Sequence, residues 1–195
     1  MPRLFFAVEL PGPVRDEAAR VAEQMRQTLS APARWTPVEN LHVTLKFIAE
    51  LDADRLPKLV ASAAGKLAAV EPFRVELAGS GAFPNHRAAQ VLWIGIGEGR
   101  STLARLARKL DASAGRQGAE RDRRPFRAHL TVARLREPAP VPLEELPAPD
   151  SLAFEVAEVV LYESRLSSTG ATHVPLTRLP LGSSEDSSIE FAPEP

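Results

Sequence analysis

The chain of 195 residues has no cysteine, which removes disulfides, thiol nucleophiles and Cys-ligated zinc together. It also lacks an excess of either charge. With 24 basic against 25 acidic side chains its formal net charge is -1, so the surface as a whole is not built to coat nucleic acid, and a local basic patch is the most that composition allows. Long apolar runs are missing too. The opening Met1-Pro2-Arg3-Leu4-Phe5-Phe6-Ala7-Val8-Glu9 carries too short a run for a signal peptide, and no later stretch approaches the roughly 18 to 20 apolar residues of a membrane span. These absences make a cytoplasmic protein with no membrane partner the default expectation. Its chemistry must come from His, Thr, Arg, Lys and carboxylates.

What is present centres on two tetrapeptides, His42-Val43-Thr44-Leu45 and His129-Leu130-Thr131-Val132. In a strand alternate side chains share a face, so each places His and Thr on one side and the apolar pair on the other. Two or more His-x-Thr matches are expected in roughly 1% of shuffled sequences of this composition, so the repetition is informative where a single copy would not be. Two imidazoles with ordinary pKa values near 6.5 suit cleavage of a phosphodiester without a metal: one accepts a proton from water while the other donates to the departing oxygen. Thr44 and Thr131 would donate to the non-bridging oxygens, and Lys46, Arg127 or Arg134 would offset the growing charge. Strict alternation sets Lys46 on the face of His42 and Thr44, and it sets Arg134 on the face opposite His129 unless a twist or bulge intervenes. Rival chemistries are poorly supplied. No HxH, HExxH or cysteine cluster offers a zinc site, and no G-x-S-x-G elbow offers a serine nucleophile.

Along the chain, strands and helices interleave. Leu4 to Leu10 is a buried strand closed by Pro11-Gly12-Pro13, and Val14, Ala18, Val21, Met25 and Leu29 form one helical stripe. The first motif strand spans Leu41 to Ile48, and Leu56 to Val70 carries a second stripe. Phe73 to Leu77 is a strand broken at Gly79-Ser80-Gly81. Gln90 to Ile96 is a strand too continuously apolar for an exposed edge. A third helix runs through Leu103, Leu106, Leu110 and Ala114 into an arginine-rich segment from Arg116 to Arg127, directly before the second motif strand. Phe154 to Tyr162 and His173 to Leu181 are the last strands. His86 and His173 lack the motif context. The pattern predicts an α+β fold in which strand, helix and His-x-Thr strand occur twice. Two lobes related by a pseudo-twofold axis would then bring two antiparallel sheets to a central cleft, with helices outside. Residues 1–182 form the single bilobal domain of this expectation, and 183–195 an acidic disordered tail.

With the motifs placed, the chain resembles the 2H phosphoesterase family, in particular the bacterial and archaeal RNA 2',3'-cyclic phosphodiesterases, also called RNA 2',5'-ligases. The resemblance rests on Arg3-Leu4-Phe5-Phe6-Ala7, Arg34-Trp35, Glu39 to Phe47, Gly81-Ala82-Phe83-Pro84, Val91-Leu92-Trp93, Arg124 to Arg134 and Leu161-Tyr162-Glu163-Ser164. It implies hydrolysis of an RNA 2',3'-cyclic phosphate end to a 2'-phosphomonoester, the substrate being an RNA terminus or short oligonucleotide. The paired histidines call for no cofactor or metal, and because two lobes of one chain complete the site a monomer suffices. The resemblance also implies His42 as proton donor, His129 as proton acceptor, Thr44 and Thr131 on the phosphate, and a role for Arg134, five residues after the second histidine. Phe6 is a candidate stacking surface for the terminal base. The alternatives are a module that binds RNA ends or nucleotides without turnover, and 2',5' ligation by the same histidine pair.

Overall fold

The computed structural model describes residues 3–142, 144, 146–167 and 170–182; the tail from 183 to 195 lies outside the described residues. Among the described residues there are three α-helices and nine strands. In chain order these are β1 (Arg3–Glu9), α1 (Gly12–Thr28), β2 (Ala33–Trp35), β3 (His42–Ile48), α2 (Leu56–Leu67), β4 (Phe73–Phe83), β5 (Ala89–Ile96), α3 (Arg100–Arg116), β6 (His129–Ala139), β7 (Ala153–Val156), β8 (Glu158–Ser167) and β9 (Gly170–Pro180). Every pairing is antiparallel. One sheet has the order β3-β1-β8-β9 and the other β2-β6-β5-β4-β7, so each motif strand belongs to a different sheet.

The apolar stripes bury largely as their spacing requires, although Leu29 lies just past the end of α1 and is half-buried, and Val70 lies beyond the end of α2. Val14, Ala18, Val21 and Met25 of α1 are all inside, as are Leu59, Val60, Ala63 and Leu67 of α2 and Leu103, Leu106, Leu110 and Ala114 of α3. Helices α2 and α3 pack on each other and cover the four-stranded sheet, α3 against β3 and α2 against β9. Helix α1 leans toward the other sheet: Met25 lines an apolar cavity of about 410 Å³ with Ala139 and Val141, and the Glu17 carboxylate accepts from the Asp150 backbone N–H at 2.7 Å. Helices α1 and α3 are thus each exchanged to the sheet that does not hold the preceding strand. One connected core runs through both sheets, and β3 and β6 approach each other where the sheets meet. No helix among the described residues is long and apolar enough to cross a membrane.

Two strand boundaries differ from the sequence pattern. The strand expected to stop at Gly79 continues to Phe83, because Gly79, at φ 63°, absorbs a register shift between Leu77 and Ser80. Phe154 to Tyr162, which reads as one strand, is divided at Ala157: β7 pairs with β4 in one sheet and β8 with β1 in the other.

Candidate active site

Strands β3 and β6 share more than a motif. Their first seven residues have the same alternation of burial, half-buried histidine and threonine separated by buried apolar residues, then two consecutive buried residues, an exposed one and a buried one. The two consecutive buried residues reflect a bulge. On β3, Thr44 stands opposite Ala7 and Lys46 opposite Phe6, leaving Leu45 unpaired; on β6, Thr131 stands opposite Trp93 and Ala133 opposite Leu92, leaving Val132 unpaired. An extra residue reverses the phase of alternation beyond it.

That reversal corrects two expectations. Lys46 does not share the face of His42 and Thr44: it stands opposite Phe6 on the core side, and its side chain is 1% exposed. Its Nζ lies 2.9 Å from Asp111 Oδ1 and 3.0 Å from Asp122 Oδ1, and it donates to the Glu120 carbonyl at 2.9 Å. This is a buried ion cluster joining β3 to α3 and to the segment before β6. Phe6, the suggested base-stacking ring, is fully buried in the core. Its neighbour Phe5 faces the histidine instead. Arg134, by contrast, is carried by the β6 bulge onto the face of His129 and Thr131, where it is exposed. The corresponding position on β3 is Phe47, whose ring lies under the Arg3 guanidinium at 5.6 Å.

Each histidine is held in the same manner. His42 Nδ1 lies 2.8 Å from the Asn40 carbonyl and His129 Nδ1 lies 2.7 Å from the Arg127 carbonyl. A carbonyl can only accept, so Nδ1 carries the proton in both rings and Nε2 is left with its lone pair. Thr44 donates its hydroxyl proton to His42 Nε2 at 2.8 Å. His129 Nε2 has no protein partner among the described residues.

Behind each imidazole stands an aromatic pair. Phe5 stacks on His42 with ring centroids 4.9 Å apart and on Tyr162 at 5.1 Å; Phe83 meets His129 edge-on at 4.9 Å and lies 5.2 Å from Trp93. The Trp93 ring occupies space that a side chain at position 81 would need, a Cβ there clashing with Cζ2 of the indole, which is why Gly81 precedes Phe83 on this strand. Arg127 is exposed, its guanidinium 5.8 Å from the Phe83 centroid.

His173, which the sequence left aside, meets His42 edge-on at 5.5 Å and Phe5 at 4.8 Å. It joins Glu9, Arg15, Asn40 and Tyr162 around a cavity of about 170 Å³ beside His42. The Tyr162 hydroxyl donates to Glu9, which also accepts from Arg178 at 2.9 Å. Burial alone would raise the Glu9 pKa, but these two partners hold it below the usual value. Only the β8–β9 pairing brings His173 here, so no local signal could have found it.

Burial also governs the imidazoles. It pushes the His42 pKa down to about 4, outweighing the Asn40 carbonyl, with positive charge on His173 and His129 adding to the effect. His129 is lowered by burial against the opposing pull of the Arg127 carbonyl, and the Arg134 guanidinium lowers it further. Both shifts favour the neutral imidazole. Among the described residues no group of three or more His, Asp or Glu side chains converges as a metal site.

The model of the 2'-5' RNA ligase superfamily matches residues 13–167. An RNA 2',3'-cyclic phosphodiesterase of Thermus thermophilus is 37% identical over 190 residues, covering 92% of this chain and 90% of its own. One from Methanothermobacter thermautotrophicus is 32% identical over 173 residues, covering 86% and 92%. Among solved structures, Escherichia coli LigT complexed with 3'-AMP superposes with a TM-score of 0.77 at 29% identity, covering 93% of this chain and 99% of that one.

Proposed function

The chain belongs to the 2'-5' RNA ligase superfamily, the 2H phosphoesterases that its two motifs resemble, and on that premise we propose that it hydrolyses RNA 2',3'-cyclic phosphate ends to 2'-phosphomonoesters by metal-independent acid–base catalysis. The observation that carries this is the pair of imidazoles on neighbouring strands of two sheets, each with Nδ1 tied to a carbonyl, His42 Nε2 accepting from Thr44 and His129 Nε2 without a protein partner among the described residues. His129 accepts a proton from the attacking water, and His42 donates one to the O3' that leaves phosphorus. The bond to O2' stays. Thr44 and Thr131 donate to the non-bridging oxygens, and Arg134 offsets charge gained in the transition state. A single chain supplies both histidines, so a monomer suffices.

The lowered pKa values fit this scheme once the substrate is included. A cyclic phosphate brings one negative charge into a cleft where burial favours the neutral imidazoles, and that charge favours reprotonation of the ring it approaches. The proton donor is then formed by substrate binding. Thr44, released from His42 Nε2 as that nitrogen gains its proton, turns its hydroxyl to the phosphate. Ligation of 2',5' ends, the activity in the superfamily's description, is the same displacement of O3' through the same pair, with a 5'-hydroxyl attacking in place of water.

The deciding experiment is product analysis on an oligonucleotide with a 2',3'-cyclic end, separating 2'- from 3'-phosphate, for the native chain and for His42→Ala and His129→Ala with circular dichroism as the fold control. Native enzyme should yield the 2'-phosphate in the presence of EDTA, and each variant should lose at least about 100-fold in rate. Full activity in either variant refutes the roles. Saturable binding without product would leave a binding module, and activity lost to EDTA and restored by zinc would make this a metal enzyme.

A further inference from the structure

The cleft face of the five-stranded sheet carries two arginines directly opposed. Arg34 of β2 is the register partner of Arg134 of β6, so both side chains leave the sheet on the face that holds His129 and Thr131. Like charges opposite each other on neighbouring strands repel. Both residues are exposed, and among the described residues neither has a carboxylate within ion-pair distance. The core has no use for the pair either, since Ala33, Trp35, Ala133 and Leu135 on either side of the two arginines supply the apolar contacts. Among the described residues strand β2 is the outer strand of its sheet, with β6 as its neighbour, so Arg34 stands one strand spacing, about 5 Å, further from β5 than Arg134, toward open solvent. Arg136, two residues on from Arg134 and exposed, extends the positive face. An uncompensated guanidinium pair of this kind is satisfied by an anion with several oxygens, and phosphate is the anion whose geometry fits the guanidinium fork.

We propose that Arg34 forms a second phosphate subsite, holding the phosphodiester on the 5' side of the terminal nucleotide while the cyclic phosphate occupies the histidine cleft. This rests on the hydrolytic reading above and adds the substrate class: the end of an RNA chain of two or more nucleotides, in preference to a free cyclic mononucleotide. The direction follows from the chemistry of the substrate. Both the 2' and 3' oxygens of the terminal ribose are closed into the cyclic phosphate, so the chain can leave only through the 5' oxygen. The phosphate it meets there is the one available to the arginine pair.

The test is Arg34→Gln, an exposed substitution on an outer strand that removes repulsion rather than support, assayed on three substrates. These are a 2',3'-cyclic mononucleotide with a 5'-hydroxyl, the same nucleotide with a 5'-phosphate, and a dinucleotide ending in a cyclic phosphate. The variant should retain its kcat/KM on the first within about twofold and lose about tenfold on the dinucleotide, chiefly in KM, with the slope of log KM against log salt reduced by about 0.7 for one lost phosphate contact. A loss on the 5'-phosphorylated mononucleotide equal to that on the dinucleotide supports the phosphate, not the second base, as the group recognised. Equal losses on all three, or none on the dinucleotide, overturn the subsite. If the native chain turned over none of them, the hydrolytic reading would fail separately. Binding of a dinucleotide 3'-phosphate would then decide: weaker binding to Arg34→Gln supports the subsite, and equal binding overturns it.

Discussion

Leu45 and Val132 occupy equivalent positions: each is the unpaired member of a bulge three positions after a motif histidine, one in each sheet. The bulges decide which charged side chain reaches the cleft. Beyond Leu45 the phase reversal turns Lys46 into the core, and beyond Val132 it turns Arg134 outward beside His129. The two halves thus repeat a backbone device while differing in the residue it presents, Phe47 in one and Arg134 in the other.

Acid should weaken the fold through the buried imidazoles. His42 has a folded pKa of about 4 against about 6.5 in the unfolded chain, so below pH 6.5 the unfolded state binds a proton that the folded state refuses. Stability is full above pH 6.5 and falls as the pH drops through about 4, by about 3 kcal/mol for this one group. Urea unfolding at pH 7.5 and 4.5 checks it. His42→Asn should show a smaller drop than the native chain, and an identical drop in both would remove His42 as the cause.

Arg134→Gln should raise the His129 pKa part of the way back to its ordinary value. The guanidinium charge disfavours the imidazolium, so its removal shifts the midpoint upward, while burial, the larger cause, keeps the value depressed. The histidine ring-proton shift followed by NMR across pH 4 to 8 reads this directly. An unchanged or lowered midpoint would place Arg134 away from His129.

Lys46→Met should destabilise the protein by about 3 kcal/mol, because it leaves Asp111 in a mostly buried position with Arg121 as its remaining cation and frees the Glu120 carbonyl of its partner. Urea denaturation at pH 7 measures it. A change below about 1 kcal/mol would mean the cluster is solvated in solution and that Lys46 is not the strut between β3 and the segment leading to β6.

Much of the architecture is written locally. The helical stripes of α1, α2 and α3 buried most of the residues their spacing selected, Val91 to Ile94 lies on an interior strand, and the two His-x-Thr tetrapeptides stand on strands with the polar pair on the cleft side, because periodicity of 3.6 or 2 is a property of neighbouring residues. What local pattern cannot carry is register. Phe5 and Phe6 are adjacent phenylalanines, and pairing with β3 and β8 alone sends one to His42 and the other to the core. The break at Ala157 is also invisible in the run from Phe154 to Tyr162, since both halves alternate acceptably and only the available partner strands differ. The sequence by itself determined the elements, the repeated motif and the chemistry its side chains can perform. Tertiary structure decided which of Lys46 and Arg134 faces the cleft, that His173 joins it, and that Arg34 stands beside Arg134, because bulges and strand pairing arise between segments distant in the chain.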